Sequence, residues 1–501
     1  MGVIIKGTDD TVKAADGSLS IEGFSIKTTG IGTFDGGVQV GSAATIHSTG
    51  QFNIGVAATI FASGNATFAG IVTTAQLGGD VLIEDKIVHA GDTNTAIRFP
   101  SADTVTMETG GSERIRIRAD GRISIASSLA VTGVCTAAAF VPSEGQISNR
   151  NIIINGDMNI AQRATSSTTS GYGDVDRWQH EYASTDEAPT FAQVDVTSGD
   201  APYLVGLTRA AKITNGNQTS GLQAASQINF MQPIEAQDIR NCGWNYKSAS
   251  SYITLSYWVR ASVAQEYHGF VKTADGSNYV YPFSLGSLSA NTWTKITKTI
   301  PGNSNLQIDN DNGAGFQVWP VAFYGTDYTN DSITENAWAA WASGNRSTDQ
   351  TSTWWTTNDS TFELTGVQLE VGSYATPFEH RSYADELRRC RRYFQKIKGG
   401  DGDYTGFSGY SESTSAARFP VRFEPPMRAD MTMTIGGTFR FQGGTNDSAT
   451  FTSGLALQSI NETFDGASMQ VTGTSSLGAA DRPGNLQFKA SSSSLSFDAE
   501  L

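Results

Sequence analysis

The chain has 501 residues, of which 53 are Gly and only 17% are charged, with a net charge of −15. That length exceeds one ordinary core, so about three domains are expected. A Gly-, Ser- and Thr-rich chain of this kind is β-rich and turn-rich, not a helical enzyme. The acidic balance argues against nucleic acid and anionic membrane as partners. Cys135, Cys242 and Cys390 are odd in number, far apart and without metal-ligand spacing, which fits folding in a reducing cytosol. No run of ~18 apolar residues and no basic-then-apolar leader occurs, so a soluble protein without membrane insertion is expected.

Aromatic residues divide the chain. All nine Trp fall between Trp178 and Trp355, and all sixteen Tyr between Tyr172 and Tyr410. Residues 1–150 hold neither, so they bury only small side chains and seldom make a thick core alone.

Residues 1–76 carry a short repeat: Val40–Ile46 (VGSAATI) returns at Ile54–Ile60 (IGVAATI), with relatives at 32–38, 66–72 and 129–135. A repeat too small to bury itself must stack on copies, here in a fibrous stem made with other chains. Residues 77–148 read as a small β unit and linker. Arg114, Arg116 and Arg118 alternate with Ile115, Ile117 and, past Asp120-Gly121, Ile123 and Ile125, the period of a two-sided hairpin. The Arg stripe reads as a solvated or interchain-paired face.

Residues 149–398 form the largest unit. Short strand signals at Ile152–Ile154, Tyr252–Arg260, Trp293–Ile300, Phe316–Tyr324 and Phe362–Val371, separated by Asn-Gly and Asp-Gly turns, predict a jelly-roll β-sandwich. A helix over Ser382–Ile397 closes it. Ser382 is its N-cap, Asp385 completes a capping box, and Gly399-Gly400 stops it. Its apolar residues Tyr383, Leu387, Cys390, Phe394 and Ile397 step by 4, 3, 4, 3, a short coiled-coil seam. The spacing permits an amphipathic helix on its own domain, or a three-chain bundle with these five residues as the trimer interface. Residues 399–501 form a distal β domain. The fold class is mainly β: a trimeric stem, a sandwich closed by an axial helix, and a C-terminal β domain.

Three phrases, NRNIIINGDMNIAQR (149–163), DRW (176–178) and GVQLEVGSYATPFEHRSYADELRRCRRYFQKI (366–397), resemble a recurrent module of bacteriophage tail-fibre and virion structural proteins. GGDVLIEDKIVHAGDTNTAIRFPSADTVTMET (78–109) resembles fibre stems of marine phages and cyanophages, and the terminal DAEL is similar to the ends of such proteins. The resemblance implies a homotrimeric virion appendage carrying a carbohydrate-binding-like jelly roll, made in the bacterial cytoplasm. It also implies that the N-terminus docks on other tail or baseplate proteins. It carries no catalytic motif.

The residues themselves show no G-x-S-x-G, H-E-x-x-H or P-loop, and no His with a ligand-spaced partner. The reading is therefore recognition, not catalysis. Trp338, Trp341, Trp354 and Trp355 lie in a Ser/Thr/Asn-rich stretch and are candidates for stacking on host polysaccharide or lipopolysaccharide, or for the sandwich core. Asp309 and Asp311 in DNDNG form a candidate calcium loop without the distal Glu of an EF-hand; an Asx-rich turn is the alternative. No other cofactor is expected. A neck or head fibre acting as a spacer, and a polysaccharide-degrading tailspike, are the rival functions.

Overall fold

The computed structural model describes residues 38–40, 44–46, 52–54, 58–60, 66–68, 83–89, 91–133, 148–444, 448–473, 477 and 479–501. The chain divides into two compact units, Met1–Ala137 and Ala138–Leu501. Of the linker read at 128–148, residues 134–147, Cys135 among them, lie outside the described residues.

In the first unit, five three-residue strands run as an antiparallel meander. Ala44–Ile46 and Ala58–Ile60, the equivalent ends of the two repeat copies, flank Phe52–Ile54. Val40 and Ile54, which begin the two copies, end the strands Val38–Val40 and Phe52–Ile54, and residues 41–43 and 55–57 lie outside the described residues. A second meander joins Lys86–His89, Asp92–Ser101, Thr104–Thr109, Ser112–Ile117 and Ile123–Ile125. Its register aligns Ile87, Ile97, Met107, Ile115 and Ile125 in one row. Val105, Ile117 and Ile123, two residues along, share that face because side chains alternate. Ile87, Ile97, Met107, Ile117, Ile123 and Ile125 are all 37–64% exposed. The opposite face carries Arg98 paired with Asp85 and Glu108, and Arg116 paired with Glu113. The Arg stripe is thus one face of a five-stranded sheet, not of an isolated hairpin.

The second unit is built on two six-stranded antiparallel sheets. The first has the order Ser166–Ser167, Thr190–Asp195, Arg209–Thr214, Thr361–Val371, Tyr252–Ala261, Thr294–Pro301. The second has the order Gln179–Ala183, Gln227–Glu235, Ala314–Tyr324, Gln265–Thr273, Tyr279–Leu288, Ala339–Ala340. Ile253, Leu255, Tyr257 and Val259 of the first meet Phe230, Val271, Phe316 and Phe323 of the second in one core. Alternation puts Thr254, Ser256, Trp258 and Arg260 on the outer side of the same central strand.

The closing helix is shorter than its apolar stripe suggests. It spans Tyr383–Arg391, with the Ser382 hydroxyl accepting the Asp385 N–H at 3.1 Å as expected of the cap. Phe394–Lys398 is a strand, paired with Ser494–Asp498, which in turn pairs with Thr432–Gly436. The trimer seam therefore does not exist as a continuous helix face. Cys390 is buried within its own unit, Phe394 lies in a strand, Tyr383 is 64% exposed, and only Leu387 and Ile397 are half-buried. The helix Tyr383–Arg391 carries only Tyr383, Leu387 and Cys390 of that stripe. Beyond it, Phe419, Phe439, Phe441, Leu486, Leu495 and Phe497 form a second core.

The phrases at 149–163 and 176–178 make a buried junction between these cores. Asn155, at φ 58°, uses its whole amide: Nδ2 donates to the Ile160 and Asp176 carbonyls at 2.9 Å, and Oδ1 accepts Ile160 N–H at 2.9 Å. Asn tolerates this left-handed backbone better than most residues. The next residue must be Gly, since a Cβ on Gly156 would stand 2.1 Å from the Val367 carbonyl oxygen. Arg177 is fully buried, stacks 3.5 Å over the Tyr393 ring, donates to the Pro233 carbonyl at 2.7 Å and pairs with Glu500. Arg163 also reaches Glu500, at 3.2 Å, and Asp498, at 2.8 Å. Arg392 and Tyr393 both bind Glu235.

Candidate functional site

Trp258 is the side chain that breaks the polar pattern of its strand. Thr254, Ser256 and Arg260 are suitable for an outer face; an indole there is not, unless it has something to cover or to bind. Its ring is half-buried and forms part of a cleft of about 510 Å³. Lys295 stands opposite it in the ladder, on the edge strand. On the other side the register with Thr361–Val371 slips between Ser256 and Trp258, so that Gly366 falls beside the indole. Gly366 has φ +63°, and a Cβ there would meet Leu207 Cδ1 at 2.5 Å and Trp258 Cδ1 at 3.3 Å. The irregularity is what opens room over the ring, as bulges do beside binding sites.

The far wall is the segment Ala375, Thr376, Pro377, Phe378 and His380, with Val205. It is fastened to the outer face of the sheet. Glu370 accepts the Thr376 N–H at 2.8 Å and the Thr376 hydroxyl at 2.7 Å, and Gln368 accepts the Glu379 N–H at 2.7 Å. His380 Nε2 lies 2.8 Å from the Val205 carbonyl, the junction role its position suggests. Tyr374, immediately before this wall, is 81% exposed. The result is a pre-formed cleft with an aromatic floor, an exposed ammonium at its edge and few polar groups, the usual build of a small-ligand site. None of its lining residues is a carboxylate.

Alongside it, Arg260 stacks 4.8 Å over Trp293 and is held by Glu363 at 2.7 Å and Asp200 at 3.3 Å. Trp293 Nε1 donates to Asp200 at 3.0 Å, so this group is self-satisfied. A larger groove of about 580 Å³ follows the helix and is lined by Arg381, Arg388, Arg389 and Arg392. Three of the four are committed, Arg381 to Glu379 and Glu386, Arg392 to Glu235, and Arg389 to the Asn149 side-chain oxygen at 3.0 Å.

The four Trp singled out from the sequence do not make a site together. Trp354 and Trp355 occupy the short helix Thr353–Thr356 and are completely buried, so neither offers a face to a ligand. Trp354 Nε1 donates to the Thr361 carbonyl at 3.0 Å and Trp355 packs 5.2 Å from Phe323. Trp338 packs on the same core and donates to the Pro301 carbonyl at 2.7 Å. Trp341 alone lies elsewhere, half-buried on the outer face of the second sheet. Asp309 and Asp311 are exposed turn residues. Asp311 accepts Gly313 N–H at 2.9 Å in an Asx turn, and the neighbouring Asn312 bonds Arg428 through both its amide and its carbonyl. This loop ties the sandwich to the second core, and among the described residues no group of three His, Cys, Asp or Glu could hold a metal ion. Trp258 and Lys295 were not singled out, although an indole in register with Thr254, Ser256 and Arg260 was a readable signal.

No family model matches the chain. No curated protein matches it either. Among solved structures, the enzymatically active domain of bacteriophage CBA120 tailspike protein 4 aligns at 10% identity over 44% of this chain and 21% of the tailspike chain, with a TM-score of 0.23. The N-terminal cellulose-binding domain of Cellulomonas fimi β-1,4-glucanase C aligns at 12% over 43% of this chain and 99% of its own, TM-score 0.21. The Clostridium thermocellum endo-1,4-β-D-xylanase modules complexed with xylohexaose align at 10% over 42% and 28%, TM-score 0.21. The chain therefore spans about a fifth of the tailspike, and scores this low say nothing about function.

Proposed function

We propose that this chain is the glycan-recognising subunit of a homotrimeric bacteriophage appendage, a tail fibre, and that it binds a host-surface polysaccharide or lipopolysaccharide in the Trp258 cleft. The observation that carries the reading is the indole on the outer face of a central strand, at the floor of a pre-formed cleft. A sugar ring stacks its C–H face on such an indole, while Lys295 and the His380 ring are placed to meet hydroxyl groups. The absence of a carboxylate among the lining residues favours binding over cleavage, because glycoside hydrolysis uses two carboxyl groups flanking the bond.

Trimerisation rests on the first unit. Its second sheet presents a face of exposed Ile and Met side chains, the kind of apolar patch that marks an interaction surface. Copies of the same sheet around an axis would cover it. Three clefts acting together would convert a weak single-site affinity into durable attachment by effective concentration. The N-terminal unit would dock on virion proteins. The resemblance of 149–163 and 366–397 to phage fibre modules points to the same assignment.

The test is adsorption of the labelled full chain to susceptible and resistant cells, and to their purified polysaccharides, with Trp258→Ala in parallel. Wild type should bind and the variant should lose at least tenfold. A spacer would bind neither cell type, and a tailspike would release reducing ends from the polysaccharide; either outcome replaces this reading.

A further inference from the structure

On the opposite side of the sandwich from Trp258, the outer face of the second sheet gathers aromatic rings and two cations. Phe270 and Trp319 stack at 5.1 Å, and Phe270 lies 6.1 Å from Trp341. Lys272 Nζ is 4.3 Å from the Trp341 ring centroid and Arg346 Cζ is 5.0 Å from it. Arg346 is further held over Tyr328, at 4.2 Å, and Tyr324, at 5.2 Å. Two like charges are thus fixed on a single indole. No carboxylate lies within ion-pair distance of either among the described residues; the ion pairs of the sandwich are formed elsewhere.

This arrangement is electrostatically incomplete. Holding two cations together costs energy that an anion between them would return, and a half-buried setting strengthens the attraction. The repulsion is felt at Lys272, whose ammonium is held below the usual lysine range by burial first and by Arg346 second. Glu181 is the nearest acid in the field of both, but burial keeps its carboxyl above the ordinary range and it closes no ion pair with them. Two polar groups at this face also lack partners: the side-chain amide of Asn229, fully buried and opposite Glu181 in the ladder, bonds through neither atom, and Arg346 Nε donates to nothing, although its terminal NH1 reaches Gln227 Oε1 at 3.4 Å. Buried groups of that kind call for a partner. The aromatic rings fix the geometry, so the cations cannot relax apart as surface side chains would.

We infer that Lys272 and Arg346 on Trp341 form a second glycan site, one that takes the carboxylate of an acidic sugar residue such as a uronate. It rests on the proposal that this chain binds glycans, but shares no residue with the Trp258 cleft. A planar carboxylate suits the guanidinium of Arg346, and Lys272 supplies a second, point-like contact. A chain of acidic and neutral residues could then be gripped on two faces of one sandwich, by stacking on one and by charge on the other.

The experiment titrates the full chain with an oligogalacturonate and with its methyl ester, followed by calorimetry at low and at physiological salt. The ester keeps every ring and removes every charge. Wild type should bind the acid at least tenfold better than the ester, and added salt should weaken it. Lys272→Gln and Arg346→Gln should each lose that preference, while Trp258→Ala should keep it. Acetate and sulfate are included as competitors: displacement only by molar amounts supports a sugar site, whereas displacement at millimolar sulfate with no preference for the oligomer would reduce the site to an adventitious anion pocket and overturn the proposal. Equal binding of acid and ester, or Lys272→Gln indistinguishable from wild type, would also overturn it. Lys272→Gln removes one charge of a repelling pair, so its melting temperature should be no lower than that of wild type and loss of folding cannot mimic the result. Loss of all binding in Trp258→Ala alone would instead retain the first site and refute the second.

Discussion

Glu500 receives two guanidinium groups, and removing its charge should destabilise the second unit more than any surface change. In Glu500→Gln the shape is kept, but Arg177, whose side chain is 1% exposed, and Arg163, at 11%, lose the carboxylate they share. Breaking a buried ion pair from one side costs about 3–5 kcal/mol, because the remaining charge stays buried. Two contacts offset part of this. Arg177 still stacks on Tyr393 and still donates to Pro233, and Arg163 still holds Asp498. A loss of about 3 kcal/mol is therefore expected, roughly 6 °C in melting temperature at the shallow end of the range for large domains. Urea unfolding at pH 7 measures it. Tryptophan fluorescence reports the sandwich, since every Trp falls between Trp178 and Trp355, and far-UV circular dichroism reports both cores. Arg177→Met should cost a similar amount, and the double variant clearly less than the sum, by 0.5–3 kcal/mol of coupling. A midpoint for Glu500→Gln within about 0.5 kcal/mol of wild type, or strict additivity, would refute the view that this pair joins the two cores.

On the proposed trimer, Met107→Lys places a charge on the apolar face of the second sheet of the first unit, and light scattering should show the mass falling from near three times 53.3 kDa toward one, while Arg98→Gln on the opposite face leaves it unchanged. Cys390 is buried and its thiol is pushed well above the usual range by that burial; iodoacetamide should leave it unmodified in the native protein and label it fully in urea, as peptide mass spectrometry would show. Burial raises the Asp176 carboxyl to about 6, against the opposing hydrogen bonds from Gln162. Its folded pKa lies above the unfolded value of about 3.9, so the folded state binds the extra proton and this group's contribution to stability rises as pH falls from about 7 to about 4. Asp176→Asn should remove that slope, by about 1–2 kcal/mol between pH 7 and pH 5 in urea titrations.

The sandwich was legible because its signals are local. The alternation in Tyr252–Ala261 sorts inner from outer side chains without any knowledge of the partner strands. The helix was over-extended for the converse reason. Phe394 and Ile397 fit the 4-3 stripe, but Phe394–Lys398 is claimed by Ser494–Asp498, a hundred residues away, and pairing overrides local pattern. Arg177 and Glu500 are 323 residues apart, so no spacing rule connects them. The Trp-rich loop left stacking and core both open, because the polarity of a loop does not say which way its rings face. Trp354 and Trp355 face inward from that loop, whereas Trp258 was marked by which side of its strand it occupies. The junction of Asn155, Arg177 and Tyr393 gave the most specific sequence phrases, and its residues hold the fold together instead of forming the cleft.

The closing strand has a consequence for biosynthesis. Phe394–Lys398 emerges from the ribosome long before Ser494–Asp498, yet has no other sheet partner on the side that strand occupies, between it and Thr432–Gly436. Arg177 is made earlier still and waits for Glu500. Until those residues arrive, the nascent chain holds a finished sandwich with an unneutralised guanidinium and an open sheet edge at its base. A ribosome that stops short releases a product lacking the strand and both carboxylates. Such a product would be recognisable to proteases by its exposed edge, so Ser494–Asp498 and Glu500 distinguish a chain made through these residues from a shorter one.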